Sequence, residues 1–184
     1  MRKKYKIQKM ILVVILVLIT QNTFSQENIN WKTYESSNVK FDFPKQPQIF
    51  DTLNTKMYSF QIDTTLTLQL HIFSGAEFNK NEIVFNTALE QENNDTLRAI
   101  AKIILLATNS TLVEIQEIRS NDILGLRIGI EYTTLSTNIP FLSFFQYYFK
   151  NDNMYIFSMT CNKETIIQAQ EYAEPYFNSI NFKL

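Results

Sequence analysis

Residues 141–161 read FLSFFQYYFKNDNMYIFSMTC and are the most informative segment for the architecture of the protein. Two apolar segments, 141–150 and 154–161, flank the polar triplet Asn151-Asp152-Asn153. Asn and Asp tolerate the backbone angles of tight turns, and the flanking segments are rich in aromatic and β-branched residues. The pattern therefore predicts a β-hairpin.

Both faces of this hairpin are apolar, because successive side chains of a strand point to opposite sides of the sheet. In the first strand, one face carries Phe141, Phe145, Tyr147 and Phe149, and the other carries Leu142, Phe144 and Tyr148. In the second strand, Met154 and Ile156 lie on the face opposite to Tyr155, Phe157 and Met159. Each buried aromatic side chain contributes roughly 1.5–3 kcal/mol, so leaving one face in water would be costly. We expect the hairpin in the middle of a sheet that is covered on both sides.

Alternation of apolar and polar residues predicts further strands around the hairpin. They lie at 31–35, 39–43, 48–53, 57–62, 65–73, 112–119, 123–133 and 179–184. Between about 81 and 108 the alternation stops and apolar residues recur at helical spacing, which predicts two helices. A third helix is expected between Asn162 and the final strand. We therefore predict an α+β fold, an antiparallel sheet covered by helices on both faces (an α/β/α sandwich).

The N-terminus has the features of a secretory signal peptide. Five basic residues within positions 1–9 precede an apolar run at 10–19, MILVVILVLI, and a short polar stretch ends at Ser25. The apolar run is about half the length that a spanning helix needs. We expect residues 1–25 to be a signal peptide cleaved before Gln26, with 26–184 forming a single domain in the periplasm or outside the cell. A retained anchor is the alternative.

The charge that remains after cleavage excludes one class of partner. The chain has 17 basic and 18 acidic residues, and the signal segment holds five of the basic ones and none of the acidic ones. The mature chain therefore carries 12 basic and 18 acidic residues, a net charge near −6. Nucleic-acid binding needs clustered Lys and Arg. We expect no nucleic-acid partner and no membrane association after cleavage.

Three small counts exclude several chemistries. Only 3 Gly, 1 His and 1 Cys occur in 184 residues. Phosphate-cradling loops need clustered glycines, and a closed zinc site needs several Cys or His ligands. Serine or cysteine catalysis would have to use His71. We therefore predict no cofactor, no metal and no catalytic residue.

A small polar patch is the sharper alternative. His71 lies on the polar face of the strand at 65–73, and Arg127 and Glu131 share one face of the strand at 123–133. If the three lay on the same face of the sheet, an imidazole beside a carboxylate could act as a general base. The other interpretation is a structural polar layer beneath a helix.

Three segments resemble exported bacterial proteins of the PsbP-like class, named after the extrinsic proteins of photosystem II. They are Phe41-Asp42-Phe43-Pro44 followed by Pro47, the aromatic hairpin with Tyr155 on its return strand, and the closing 176–182, YFNSINF. The resemblance spans about 31–184 and implies an α/β/α sandwich. It implies no catalytic residue, because none belongs to the pattern, and its members mostly act as binding or assembly factors.

The sequence thus favours an exported, non-enzymatic binding or assembly accessory protein of the bacterial envelope. A bacterial source agrees with the 18 Asn and 22 Ile, a bias typical of AT-rich genomes. We expect a monomer with a protein partner of unknown identity, and a strand within 48–62 could form an edge for strand addition. Two alternatives stay open: a small hydrolase-like enzyme using His71, and a carrier of a small apolar ligand.

Overall fold

The structure is a computed structural model in which residues 29–75, 105, 109–133 and 138–183 are described. These ranges contain ten strands and one complete α-helix. The strands are β1 (Lys32–Ser36), β2 (Val39–Phe43), β3 (Gln48–Asp51), β4 (Thr55–Gln61), β5 (Leu66–Ser74), β6 (Thr111–Ser120), β7 (Ile123–Thr133), β8 (Pro140–Lys150), β9 (Asn153–Asn162) and β10 (Asn181–Phe182). A 3₁₀ turn, Lys163–Thr165, leads into helix α1 (Ile166–Asn178).

The predicted hairpin is confirmed at the centre of a seven-stranded antiparallel sheet. The strand order is β3-β4-β5-β9-β8-β7-β6, so that β9 and β8 each have neighbours on both sides. The register pairs Tyr148 with Tyr155 and Tyr147 with Ile156. We call the side that carries Tyr148 and Tyr155 the front face, and the opposite side the back face.

A second sheet and the helix together cover the front face. The second sheet has three strands in the order β1-β2-β10, all antiparallel. Phe41 and Phe43 of β2 are fully buried, and the Phe41 ring lies 5.0 Å from that of Tyr58 in the large sheet. From α1, the buried Tyr176 hydroxyl donates to the main-chain carbonyl of Gln69 at 2.5 Å. The front core is thus an aromatic layer between two sheets.

The predicted α/β/α sandwich is wrong. The described residues form two antiparallel sheets with a single complete helix, and the main cover of the front face is a sheet. The strands at 31–43 pair with each other and with β10 instead of extending the large sheet. Their alternation shows that one face is buried, but a helix and a second sheet bury that face equally well.

The back face has its own apolar cluster at the β7–β8 side. Its buried members are Leu124, Leu126, Ile128, Ile130 and Phe149, and Leu105 packs against them. Apart from Leu105, the two helices predicted within 81–108 lie outside the described residues.

The C-terminal segment ties the two sheets together through polar contacts. The Ser120 hydroxyl donates to the carbonyl of Ile180 at 2.7 Å, and the Asn121 side chain donates to the carbonyl of Phe182 at 2.7 Å. Ser120 is the last residue of β6, and Asn121, with a φ of 53°, begins the turn to β7. The C-terminal strand is therefore fixed to the large sheet by two polar side chains in addition to its apolar packing.

Two glycines in β7 make room for aromatic rings of β8. A Cβ built on Gly125 would lie 2.6 Å from Cδ1 of Tyr148 and 2.8 Å from the Tyr147 carbonyl oxygen. A Cβ on Gly129 would lie 3.0 Å from the Phe144 ring, which is a milder overlap. Each ring thus lies across the neighbouring strand, where any side chain would displace it.

Gly125→Ala is expected to lower the free energy of unfolding by about 2–3 kcal/mol, the usual cost of overpacking a well-filled core. Gly129→Ala should cost clearly less, because Phe144 is only partly buried and can shift by a few tenths of an ångström. Urea titration of both variants measures the difference. Equal losses, or a larger loss at Gly129, would contradict the packing described here.

Candidate functional site

Two neighbouring rows of side chains cross the large sheet and locate two residues of the predicted polar patch, His71 and Arg127. Strand pairing places the front row in the order Ile49, Tyr58, Leu70, Phe157, Gln146, Arg127 and Gln116. The adjacent back row runs Phe50, Met57, His71, Ile156, Tyr147, Leu126 and Glu117. His71 and Arg127 therefore belong to adjacent rows on opposite faces.

Arg127 takes part in a polar group under the end of the helix. Its guanidinium carbon lies 5.4 Å from the centroid of the Phe177 ring, a cation–π arrangement. A guanidinium only donates, so the amide oxygen of the buried Gln146 must face it. In that orientation the oxygen accepts from Nε and Nη2 of Arg127 at 3.2 and 2.5 Å, and the amide nitrogen donates to the Tyr148 hydroxyl at 2.9 Å. Gln146 thus links Arg127 to Tyr148 within one polar group.

Glu131 shares the front face with Arg127 but has a different partner. Its carboxylate oxygens each accept from Nζ of Lys163 at 2.8 Å, in a partly exposed ion pair. Lys163 opens the 3₁₀ turn before α1, so the pair joins β7 to the start of the helical segment. Exposed pairs of this kind contribute at most about 1 kcal/mol.

His71 lies on the back face among uncharged neighbours. Its Nε2 is 3.4 Å from Oε1 of Gln69, and the Gln69 amide donates in turn to the Ser59 hydroxyl at 3.3 Å. The imidazole also stacks on Phe73 with ring centroids 6.1 Å apart. Burial lowers the pKa of His71 below its usual value of 6.5, because the ring is partly removed from water and its charged form is therefore less favourable.

The structure brings Arg127 and Glu131 to one face and leaves His71 on the other. No carboxylate among the partners described for His71 could orient the imidazole or share a proton with it. General-base chemistry needs such a partner, or a substrate, within hydrogen-bonding distance. The three residues therefore belong to three separate polar groups, two on the front face and one on the back face.

His71→Gln should make stability less sensitive to acid. Because the pKa of His71 is lower in the folded state, the unfolded chain binds a proton at a higher pH than the folded chain does. The free energy of unfolding therefore falls as the pH drops below about 6.5. The variant lacks this proton, so its unfolding free energy should decline less than that of the wild type between pH 7 and pH 5. Urea titrations at both pH values measure it. An identical decline would mean that His71 is not shielded in the folded state.

The edge of the sheet at β3 exposes bulky apolar side chains. Ile49 is 50% exposed, Phe50 is 51% exposed, and Leu53, in the turn to β4, is 98% exposed. All four residues of β3 are exposed, and only β4 pairs with this strand in the described part of the chain. Exposed apolar side chains next to an unpaired strand edge are the usual features of a protein-binding site. We call Ile49, Phe50, Leu53 and the free side of β3 the edge site.

The opposite edge, β6, is built differently. Its pairing with β7 is interrupted by a bulge between Leu112 and Glu114. Beyond the bulge it carries Glu117 and Arg119, which form an exposed ion pair at 3.9 Å. Bulges and charges are the devices by which proteins protect free edges from pairing. Both edges carry exposed apolar residues and an exposed ion pair, since Leu112 and Val113 of β6 are 37% and 51% exposed and Asp51 of β3 pairs with Lys56 at 3.4 Å. The bulge distinguishes them, because the pairing of β3 with β4 has none.

The sequence pattern predicted the β3 strand and placed an edge for strand addition within 48–62, but it did not identify which side chains of that edge are exposed. The pattern Gln48-Ile49-Phe50-Asp51 places apolar residues on consecutive positions, which usually indicates a strand covered on both faces. Only the position of a strand in the sheet order reveals that such a pair is uncovered. The order depends on long-range pairing, which the local pattern does not contain.

Two other features of the described residues bear on function. They contain no group of three or more His, Cys, Asp or Glu side chains arranged to hold a metal ion. Within the same ranges, no helix has the length and apolar character needed to span a membrane.

Comparison with solved structures identifies the fold. The cyanobacterial PsbP of Synechocystis sp. PCC 6803 superimposes with a TM-score of 0.54 over 88% of this chain and 97% of its own, at 10% sequence identity. The chain therefore has a PsbP-like fold, as the sequence motifs indicated. Similarity at this level of identity defines the fold alone.

Two further structures superimpose with lower TM-scores. A Bacteroides thetaiotaomicron structure matches 83% of this chain at 15% identity with a TM-score of 0.46, and this chain spans 48% of its length. A Pseudomonas aeruginosa protein of unknown function matches 78% of this chain and 91% of its own at 8% identity, with a TM-score of 0.44. No family model matches the sequence, and no curated protein matches it.

Proposed function

We propose that the protein is an exported, non-enzymatic binding or assembly accessory of the bacterial envelope, and that it holds a partner protein at the edge site. The observation that carries the proposal is the exposure of Ile49, Phe50 and Leu53 at the unpaired edge of an otherwise well-packed sheet. Leaving such side chains in water has no structural benefit, and contact with a partner would bury them.

The state of the polar groups supports a binding role over catalysis. Arg127 is engaged by Gln146 and Phe177, and Glu131 by Lys163, so neither is presented for a reaction. Burial raises the pKa of the Cys161 thiol to about 11, which keeps it protonated and unreactive at neutral pH. The PsbP-like fold agrees with this role without specifying it.

Export is tested by fractionation of the bacterium that makes the protein. Wild-type protein should be recovered from the periplasm or the medium with Gln26 as its first residue, as determined by mass spectrometry. Val14→Arg places a charge in the apolar run and should leave the full-length precursor inside the cell, whereas the matched Val14→Leu should be exported normally. Recovery of wild-type chain that still begins at Met1 would favour a retained anchor, and equal export of both variants would contradict a signal peptide.

Partner binding is tested by site-specific photo-crosslinking in intact cells. A photoreactive amino acid at position 53, where the side chain is 98% exposed, should form an adduct with one defined protein. The matched control is position 113 on the opposite edge, where Val113 is 51% exposed and no adduct with that protein is expected. No adduct at 53, or the same adduct at both positions, would contradict the proposal. An adduct of twice the chain's own mass would replace the partner with a second copy.

A further inference from the structure

The edge site displays its two strand residues on opposite faces of the sheet. Ile49 pairs with Tyr58 and so points to the front, and Phe50 pairs with Met57 and so points to the back. Both are half-exposed, at 50% and 51%. A helix or a small ligand lying on one face would contact one of these side chains and leave the other in water. Contact with both at once requires an occupant that continues the plane of the sheet.

We propose that the occupant is an extended segment of the partner protein, which adds to the large sheet as an eighth strand beside β3. This inference rests on the proposed function and names its mode of recognition. Main-chain pairing along β3 would hold the segment, and its side chains would lie alternately on the front and the back of the sheet. The neighbour on each face is apolar, so the segment carries bulky apolar residues at consecutive positions.

The size of the edge site favours a partner segment over a second copy of this chain. Stable interfaces bury about 1,200–2,000 Å² in total. The site offers one four-residue strand and three apolar side chains, on the order of a few hundred Å². A symmetric dimer through β3 would have little else to contact, whereas a segment of another protein can belong to a larger or a transient complex.

The decisive experiment introduces a lysine on each face separately. Ile49→Lys and Phe50→Lys are each combined with the photoreactive residue at position 53, and Val113→Lys serves as the matched control. An eighth strand contacts both faces, so each of the first two variants should reduce the adduct yield by about tenfold, as expected for a loss of roughly 1.4 kcal/mol. The control should leave the yield unchanged. Half-exposed positions accept lysine, and an unchanged thermal midpoint verifies that each variant is folded.

The outcomes separate this inference from the proposed function. If position 53 forms no adduct in the otherwise unaltered protein, the proposed function fails. If the adduct forms but only one of the two lysines reduces it, a partner docks on one face and the eighth strand is wrong. If neither lysine reduces it, contact is made through the turn alone and the inference is equally overturned.

A second measurement separates main-chain pairing from side-chain docking. Proline is compared with alanine at positions 49 and 50, since only proline removes the N–H. Consecutive N–H groups point to opposite edges, so one of the two prolines leaves the β3–β4 pairing intact and retains a thermal midpoint near that of its alanine counterpart. Strand addition requires that this proline variant give less adduct than the alanine variant. Equal yields from the two would overturn it.

Discussion

The two sheets are held together where the ring of Phe41 packs against the rings of Tyr58 and Phe157. The rest of the structure depends on this aromatic cluster. Phe41 belongs to the small sheet, and its ring lies 5.0 Å from Tyr58 and 6.2 Å from Phe157 of the large one. Its neighbour Phe43 reaches the helix through Tyr176 at 5.4 Å. These side chains are almost entirely removed from water. Because the front side of β9 is apolar from Tyr155 to Cys161, this face of the large sheet must be covered, and Phe41 fixes the covering sheet to it.

Local pattern was sufficient for strands and hairpins. The predicted strand at 123–133 has the same bounds as β7, and the predicted strand at 39–43 has the same bounds as β2, which ends just before Pro44. These bounds depend on alternation, turn residues and proline, which act over a few positions. The same local pattern could not determine whether a helix or a sheet covers the front face. Val39, Phe41 and Phe43 share one apolar face, and that face specifies burial without specifying whether a helix or a sheet lies opposite. The assignment of helices to both faces failed at this step.

The polar patch shows a second limit of sequence analysis. Within one strand, Arg127 and Glu131 must share a face because they are four residues apart, and they do. Between strands, the face of His71 relative to Arg127 depends on the register of every pairing across β5, β9, β8 and β7. A shift of one residue anywhere along this path exchanges front and back. His71 and Arg127 therefore occupy adjacent rows of the sheet and are separated by its thickness, which no single strand could reveal.

The edge strand β3 and the central hairpin both carry consecutive apolar residues, but only the hairpin is covered on both faces. In the central hairpin, consecutive apolar residues correspond to two covered faces, and Tyr147 and Tyr148 are shielded accordingly: burial raises the pKa of the Tyr147 hydroxyl to about 12. β3 carries the same kind of pair, Ile49 and Phe50, without the cover. The bulge in β6 limits pairing at the opposite edge of the sheet, and β3 has no such bulge. Ile49 and Phe50 therefore resemble the consecutive apolar residues of an interior strand, although β3 lies at the edge of the sheet. One more strand beside β3 would cover both side chains.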